Sequence, residues 1–217
     1  MIELHNIDCM ELMKRYPDDY FDLAIVDPPY GINITKQSGF GTLNRDKSKN
    51  WDCVIPNGEY FVNLKKVSKN QIVWGGNYFL AYLDNTKCFL SWDKMNGTND
   101  MADFELAWTS FDRPCRKFSM HHFSFGYGKK IHPTQKPIAL YRWILDNYAK
   151  QGDRILDTHL GSGSSAIAAY QLGYDFVGCE LDKDYFKAMQ KRVKQAMKQT
   201  NLFQSVEEKQ AEQIKIF

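Results

Sequence analysis

The sequence predicts an α/β domain, and three observations carry that expectation. Short apolar runs alternate along the chain with segments of helical periodicity, the pattern of a sheet flanked by helices. Two of those runs end in an acidic residue and a turn-forming cluster, Asp27-Pro28-Pro29-Tyr30 and Asp157-Thr158-His159-Leu160-Gly161-Ser162-Gly163. The 217 residues, 43% hydrophobic and 25% charged, suffice for one substantial domain with a modest insertion. They are too mixed in kind for a disordered, collagen-like or coiled-coil chain.

The elements follow in order. Ile2 to His5 reads as a short strand and Cys9 to Arg15 as a helix stopped by Pro17. Asp22 to Val26 is an apolar run short enough for a buried parallel strand. Residues 31–57 lack periodicity and hold Gly31, Gly39, Gly41, Lys36, Arg45, Lys47 and Lys49, so they read as a long mobile loop, a length usually kept for function. Glu59 to Lys69 has helical spacing, Gln71 to Trp74 is a strand, Asn77 to Leu83 a short helix and Cys88 to Trp92 a strand. Phe104 to Ser110 and Lys117 to Ser124 read as further strands. Pro137 opens a helix striped by Ile138, Tyr141, Leu145 and Tyr148. Arg154 to Asp157 is a strand, Ser164 to Leu172 a helix, Asp175 to Glu180 a strand, and Asp184 to Gln199 an amphipathic helix. Residues 201–217 are expected to form a loose polar tail after a single domain spanning 1–200.

Composition excludes several function classes. No stretch approaches the ~18 apolar residues of a spanning helix, so no membrane partner is expected. The first residues lack the basic-then-apolar layout of a signal peptide. Five scattered cysteines without a Cys-x-x-Cys pair suggest neither a disulfide framework nor a metal site, and a reducing, cytoplasmic compartment is expected. Net charge is only +2, but Arg113 to Leu145 contains no acidic residue. Its Arg113, Arg116, Lys117, Lys129, Lys130, Lys136 and Arg142 interleave with Phe118, Phe123, Phe125 and Tyr127. Cations among aromatic rings suit phosphate contacts and base stacking, although a solvated face would look the same.

Two segments carry chemistry. In Asp157 to Gly163 a strand turns through glycines into a helix, where backbone can approach a ligand and free N–H groups face it. Ala166 stands where a dinucleotide fingerprint has its third glycine, which argues for a ligand smaller than a pyrophosphate carrier. The following strand ends at Glu180, placed to accept ribose hydroxyls. In Asp27-Pro28-Pro29-Tyr30, prolines without N–H groups end the strand ladder and leave an acid, carbonyl acceptors and an aromatic ring together. Those groups fit a planar ring bearing an exocyclic amine. Phe21, Trp74, Trp92 and Trp108 are expected in the core.

These two segments, with His132-Pro133-Thr134-Gln135-Lys136-Pro137, resemble the motifs of amino-group DNA methyltransferases, in the order of the β class. The resemblance runs from Ile2 to about Val193, and departs from the family at Ile7, Thr158 and His159. It implies a Rossmann-like, S-adenosylmethionine-dependent methyltransferase fold with circularly permuted motif order. The sheet would be mixed, mostly parallel and seven-stranded, with helices on both faces. It implies Asp27, Pro28, Pro29 and Tyr30 as catalytic residues. Gly161, Ser162 and Gly163 would lie against the methionine moiety of the cofactor, Asp157 near its ammonium, Glu180 on the ribose, and Asp8 with Cys9 at the adenine. Thr134, Gln135 and Lys136 would approach the methionine carboxylate. The implied partner is duplex DNA with its target base flipped out, read by segments 31–57 and 112–131. A homodimer is among the assemblies implied. Asp27 at the head of the tetrad favours adenine N6 over cytosine N4; a non-catalytic nucleic-acid-binding subunit of the same fold is the third reading.

Overall fold

The computed structural model describes residues 1–34, 36, 48–97, 102–121 and 130–214, with side chains described as far as residue 201. Its strands are β1 (Ile2–His5), β2 (Phe21–Val26), β3 (Ser68–Trp74), β4 (Phe89–Asp93), β5 (Phe104–Thr109), β6 (Arg116–Ser119), β7 (Arg154–Asp157) and β8 (Asp175–Cys179). Its helices are α1 (Cys9–Met13), α2 (Gly58–Val67), α3 (Ile138–Tyr148), α4 (Ser164–Gln171) and α5 (Lys183–Ile214). The strands form one sheet in the order β1-β8-β7-β2-β3-β5-β4-β6. Strand β5 is antiparallel to β3 and β4, and the other pairings are parallel.

Alternation along the central strands assigns the two faces. Leu23 and Ile25 of β2 join Ile72, Trp74, Leu90 and the buried sides of α3, α4 and α5. Ala24 and Val26 point the other way, into Leu12, Phe61, Leu64, Val67 and Phe79 beneath α1 and α2. Both faces are therefore covered, which is why β2 reads as a continuous apolar run. Phe21, Trp74, Trp92 and Trp108 are all buried, as expected.

Four expectations are corrected. The sheet has eight strands, as the element-by-element reading gives, rather than the seven the resemblance implies, Arg116–Ser119 forming a parallel edge strand beyond β4. The helix expected at Asn77 to Leu83 is a single 3₁₀ turn, Gly76–Tyr78. Phe79 is buried and Leu80 and Tyr82 exposed, so the apolar residues there share no helical face. Residues 201–214 continue α5 rather than forming a loose tail. Strand β6 ends at Ser119, and residues 122–124 of the expected strand lie outside the described residues. Segment 31–57 has no helix or strand among its described residues, and 37–47 lie outside them.

The chain runs outward from the centre in two directions, β2 to β3 one way and β7 to β8 the other. Strands β2 and β7 pair directly, Leu23 opposite Ile155 and Ala24 opposite Leu156. Their carboxyl ends thus flank the switch point at which open α/β sheets bind ligands.

Candidate active site

Val26 ends β2, and the two prolines after Asp27 prevent the ladder from continuing. The loop beyond is fixed from a distance. The buried carboxylate of Asp52 accepts from the backbone N–H groups of Tyr30 (2.8 Å) and Gly31 (3.0 Å) through Oδ1, and of Ile34 (2.9 Å) through Oδ2. The Tyr30 ring stacks on the half-exposed Tyr78 at 4.9 Å between centroids and 13° between planes. Its hydroxyl donates to Asp27 Oδ1 at 2.6 Å. Gly75 makes room for it: a Cβ there would stand 2.2 Å from the ring, and its φ is +69°.

The other Asp27 oxygen, Oδ2, accepts from Lys136 Nζ at 2.5 Å. The same ammonium reaches Glu105 Oε2 at 3.0 Å and the Tyr30 hydroxyl at 3.2 Å. Lys94 closes the row on Glu105 Oε1 at 2.7 Å. Burial alone would raise the pKa of Glu105, but Lys136 and Lys94 outweigh it and hold the carboxyl down to about 2. Burial pushes Asp27 above the usual carboxylate range, opposed chiefly by Lys136. Burial and the Asp27 charge keep Tyr30 protonated.

The contacts of Lys136 draw it to the acceptor side of the site. An ammonium has three donors, and all three go to Asp27, Glu105 and Tyr30, leaving none for a cofactor carboxylate. Sequence reasoning missed Glu105, Lys94 and Asp52. An acid inside the apolar run Phe104-Glu105-Leu106-Ala107-Trp108 was the available signal for the first.

On the other side of the switch point, β7 ends at Asp157, whose carboxyl is buried. Oδ1 accepts from the N–H of His159 at 2.9 Å and Oδ2 from the Ser165 hydroxyl at 2.5 Å. Burial nonetheless pushes its pKa up to about 7. Gly161 has φ +49° and donates its N–H to Glu180 Oε2 at 2.9 Å, while Asp182 donates to Oε1 at 2.9 Å. Burial raises Glu180 as well. Asn6 donates to the Glu180 carbonyl at 2.7 Å and so ties the end of β1 to the end of β8. Asp8 there caps α1 by accepting from Met10 N at 2.8 Å, and burial keeps the neighbouring Cys9 thiol protonated, at about 12.

Not every glycine-turn residue faces the cleft. Gly163 has φ +74°, and a Cβ on it would come 2.6 Å from Met189 and 2.8 Å from Val193, so it serves packing against α5 rather than ligand approach. Ser162 is buried, with its hydroxyl 3.2 Å from that of Ser164 and its carbonyl accepting from Arg192 at 2.7 Å. His159, held neutral by burial at about 4, packs edge-on against Tyr60 at 5.5 Å as an aromatic ring would.

The segment before α3 lies alongside. Ser164 donates to the Lys136 carbonyl at 2.8 Å, and the His132 ring borders Gly161. Thr134 hydrogen-bonds that ring at 3.1 Å; burial keeps His132 neutral, at about 3. Gln135 is buried; among the described residues its amide Nε2 has no partner, nor has Trp51 Nε1, on a ring 5.1 Å from His132. Lys49, two residues before Trp51, pairs with Asp182 at 2.5 Å and Asp184 at 2.8 Å. Among the described residues Asp8, Asp157 and Glu180 have no ion-pair partner. Carboxylates without cations beside orphan N–H donors suit a ligand with an ammonium at one point and a carboxylate at another. S-adenosylmethionine fits that donor set.

Comparisons with known proteins identify the family. A DNA methylase family comprising N6 and N4 methyltransferases matches residues 73–191. The type II methyltransferase M2.DpnII of Streptococcus pneumoniae is 35% identical, over 93% of this chain and 92% of that protein. The crystal structure of the M1.HpyAVI–SAM complex matches with a TM-score of 0.62 at 21% identity, over 89% of this chain and 99% of that one. The cytosine-N4-specific PvuII DNA methyltransferase matches at 0.61 and 14%, over 92% and 91%. The chain therefore belongs to the N6/N4 DNA methylase family, whose methyl donor is S-adenosylmethionine.

Proposed function

We propose that this protein methylates the N6 amine of adenine in DNA, with Asp27, Pro28, Pro29 and Tyr30 as its catalytic residues. The observation that supports it best is the pairing of β2 with β7, whose ends carry Asp27 and the glycine turn. S-adenosylmethionine, when bound, supplies a methyl group made electrophilic by its sulfonium. Asp157 would meet the ammonium of the methionine moiety, Thr134 and Gln135 its carboxylate, Glu180 the ribose, and Asp8 with Cys9 the adenine.

The chain's own residues have a defined task on the acceptor. An exocyclic amine is a poor nucleophile because its lone pair is delocalised into the ring. Asp27 and the Pro28 carbonyl, each accepting one of its N–H groups, draw the nitrogen toward a tetrahedral shape and localise that pair. Asp27 and the Pro28 carbonyl would present that pair to the donor's methyl group; transfer would break the donor's sulfur–methyl bond, leaving a neutral thioether, and the extra proton on nitrogen would leave afterwards through Asp27 or water. An ordinary carboxylate, of pKa ~3.9, is too weak to ionise a neutral aryl amine beforehand. Near-attack positioning of the two reactants contributes up to about 7–11 kcal/mol.

The amine is out of reach in a duplex, so the base must be flipped out, at a few kcal/mol of unstacking. Tyr30 with Tyr78 supplies the aromatic surface against which it stacks. Segments 31–57 and 112–131 supply DNA contacts, with Arg116 and Lys117 on the edge strand β6. Within the same segment Arg113 also donates to the Asn147 carbonyl and lies over Tyr148, and Lys117 pairs with Asp93.

Incubation with methyl-labelled S-adenosylmethionine and duplex DNA, then digestion to nucleosides and mass analysis, tests the proposal. Label on N6-methyladenine that disappears with Asp27→Ala is the expected result. Label on N4-methylcytosine overturns the choice of base, and label that survives Asp27→Ala overturns the role of the acid.

A further inference from the structure

We infer that Lys136, braced by Glu105 and Lys94, is a positioning residue that fixes the Asp27 carboxylate as an acceptor for the target amine. The inference rests on the reading above, in which Asp27 receives that amine. Lys136 has a side chain only 1% exposed, so neither a DNA phosphate nor bulk water is its partner. Its donors close a ring: Lys136 to Asp27 Oδ2, Lys136 to the Tyr30 oxygen, and the Tyr30 hydroxyl to Asp27 Oδ1. Each Asp27 oxygen thereby holds one partner and keeps lone-pair capacity for another. The carboxyl plane is fixed at both ends, and its remaining acceptor directions are the ones a substrate amine can use.

Glu105 and Lys94 explain why the lysine stays in place. With Asp27 they form an alternating row, Lys94, Glu105, Lys136, Asp27, held by contacts of 2.7, 3.0 and 2.5 Å. A buried ammonium with a single carboxylate would leave donors unsatisfied at substantial cost. Trp74 adds a ring face 5.2 Å from Nζ. The row is neutral overall, so a neutral base can approach without confronting an uncompensated charge.

The groups that act on Asp27 from each neighbouring element are few. They are Lys136 ahead of α3, Glu105 on β5, Tyr30 on its own loop, Asp157 on β7 and Tyr141 on α3. Lys136 favours the ionised acid, whereas Glu105 disfavours it. Removing one or the other must therefore move the titration of Asp27 in opposite directions. A residue that only filled space would give no such sign reversal.

The test compares Lys136→Met, Lys136→Arg and Glu105→Gln in kcat against pH and in S-adenosylmethionine affinity by calorimetry. Lys136→Met is expected to lower kcat about 10²-fold, leave cofactor affinity unchanged and move the acid limb of kcat to higher pH. Glu105→Gln is expected to lower kcat less and move that limb to lower pH. Lys136→Arg restores the limb toward its original position while kcat stays low, because a planar fork does not fit a three-donor site. Should Lys136→Met fail to fold, the other two variants carry the decision: Lys136→Arg with a low kcat at a limb near its original position, and Glu105→Gln with the limb moved to lower pH. Cofactor affinity falling in step with kcat, or acid limbs that do not separate, overturns the inference. Full activity of Asp27→Ala would instead overturn the parent reading, and the two failures are thereby distinguished.

Discussion

At the end of β2, the acids around the catalytic tetrad have partners of opposite sign within the fold: Asp27 on Lys136, and Glu105 between Lys136 and Lys94. At the ends of β7 and β8, Asp157 and Glu180 lean, among the described residues, on backbone N–H groups and a serine hydroxyl. Asp157 is more deeply buried than Asp27, so burial does not account for the difference. The physical consequence is selectivity by charge. The first region is complete without a ligand and suits a neutral amine held by directional hydrogen bonds. The second holds uncompensated carboxylates that a cationic ligand relieves, and burial has already pushed Asp157 up to about 7.

The largest expected effect breaks the first region. Asp27→Ala removes the acceptor and strands Lys136, and should lower kcat about 10³-fold. Cofactor affinity should hold, because the glycine turn and Glu180 are untouched; a parallel loss of affinity would show that the two regions are not separable. Next comes the second region. Asp157→Asn should weaken S-adenosylmethionine about 10²-fold, on the scale of hydrogen bonds to charged groups. The pH dependence sharpens the same point. An ammonium requires ionised Asp157, and its raised pKa leaves it protonated below about 7. The wild-type Kd should therefore rise as pH falls through 7, approaching about tenfold per unit, with proton release on binding. In Asp157→Asn both effects should vanish, and calorimetry in buffers of differing ionisation heat measures them.

The glycine turn offers a smaller contrast inside the cofactor region itself. Gly163→Ala forces φ +74° on a side chain and drives a methyl group into Met189 and Val193. It should cost about 2–4 kcal/mol of stability, read from denaturant unfolding, as strain and overpacking combine. Gly161→Ala also carries positive-φ strain, φ +49°, but its Cβ would meet the His132 ring at an ordinary 3.4 Å, so the stability loss should be smaller than at Gly163 and a larger share of the effect should fall on cofactor affinity.

The same division explains what the sequence could disclose. The cofactor region is written contiguously, strand, glycines, helix, strand with an acid at its end, and local rules recover it from Arg154 to Glu180. What that local reading could not see is the packing of Gly163 against α5, an element it cannot place there. The acceptor region is assembled across the chain. Asp27 and Tyr30 were legible as a rigid strand end, but the cation on Asp27 lies 109 residues away. Glu105 arrives only because β5 is inserted antiparallel beside β3. Lys136 stood out by motif, yet its partner could be decided only by counting its donors in three dimensions. Asn77 to Leu83 was misread for a similar reason, since Phe79 is recruited to the core and Leu80 is not.

Asp52 is where the two regions meet, and its substitution is the mildest of the expected effects. On one side it holds the backbone of Tyr30, Gly31 and Ile34. On the other it follows Trp51 against His132 and Lys49 on Asp182, beside the cofactor turn. Asp52→Asn keeps the shape but replaces one acceptor oxygen by an N–H₂ group that cannot accept, so one or more of those backbone donors loses its partner. A lost buried acceptor is worth about 1–3 kcal/mol, and most of it should appear as looser placement of Tyr30 beside Asp27. The expected outcome is a fall in kcat of about tenfold, with cofactor affinity held. If affinity falls by the same factor instead, residues 49–52 couple the two regions, and the separation drawn from their charges applies to their electrostatics but not to their mechanics.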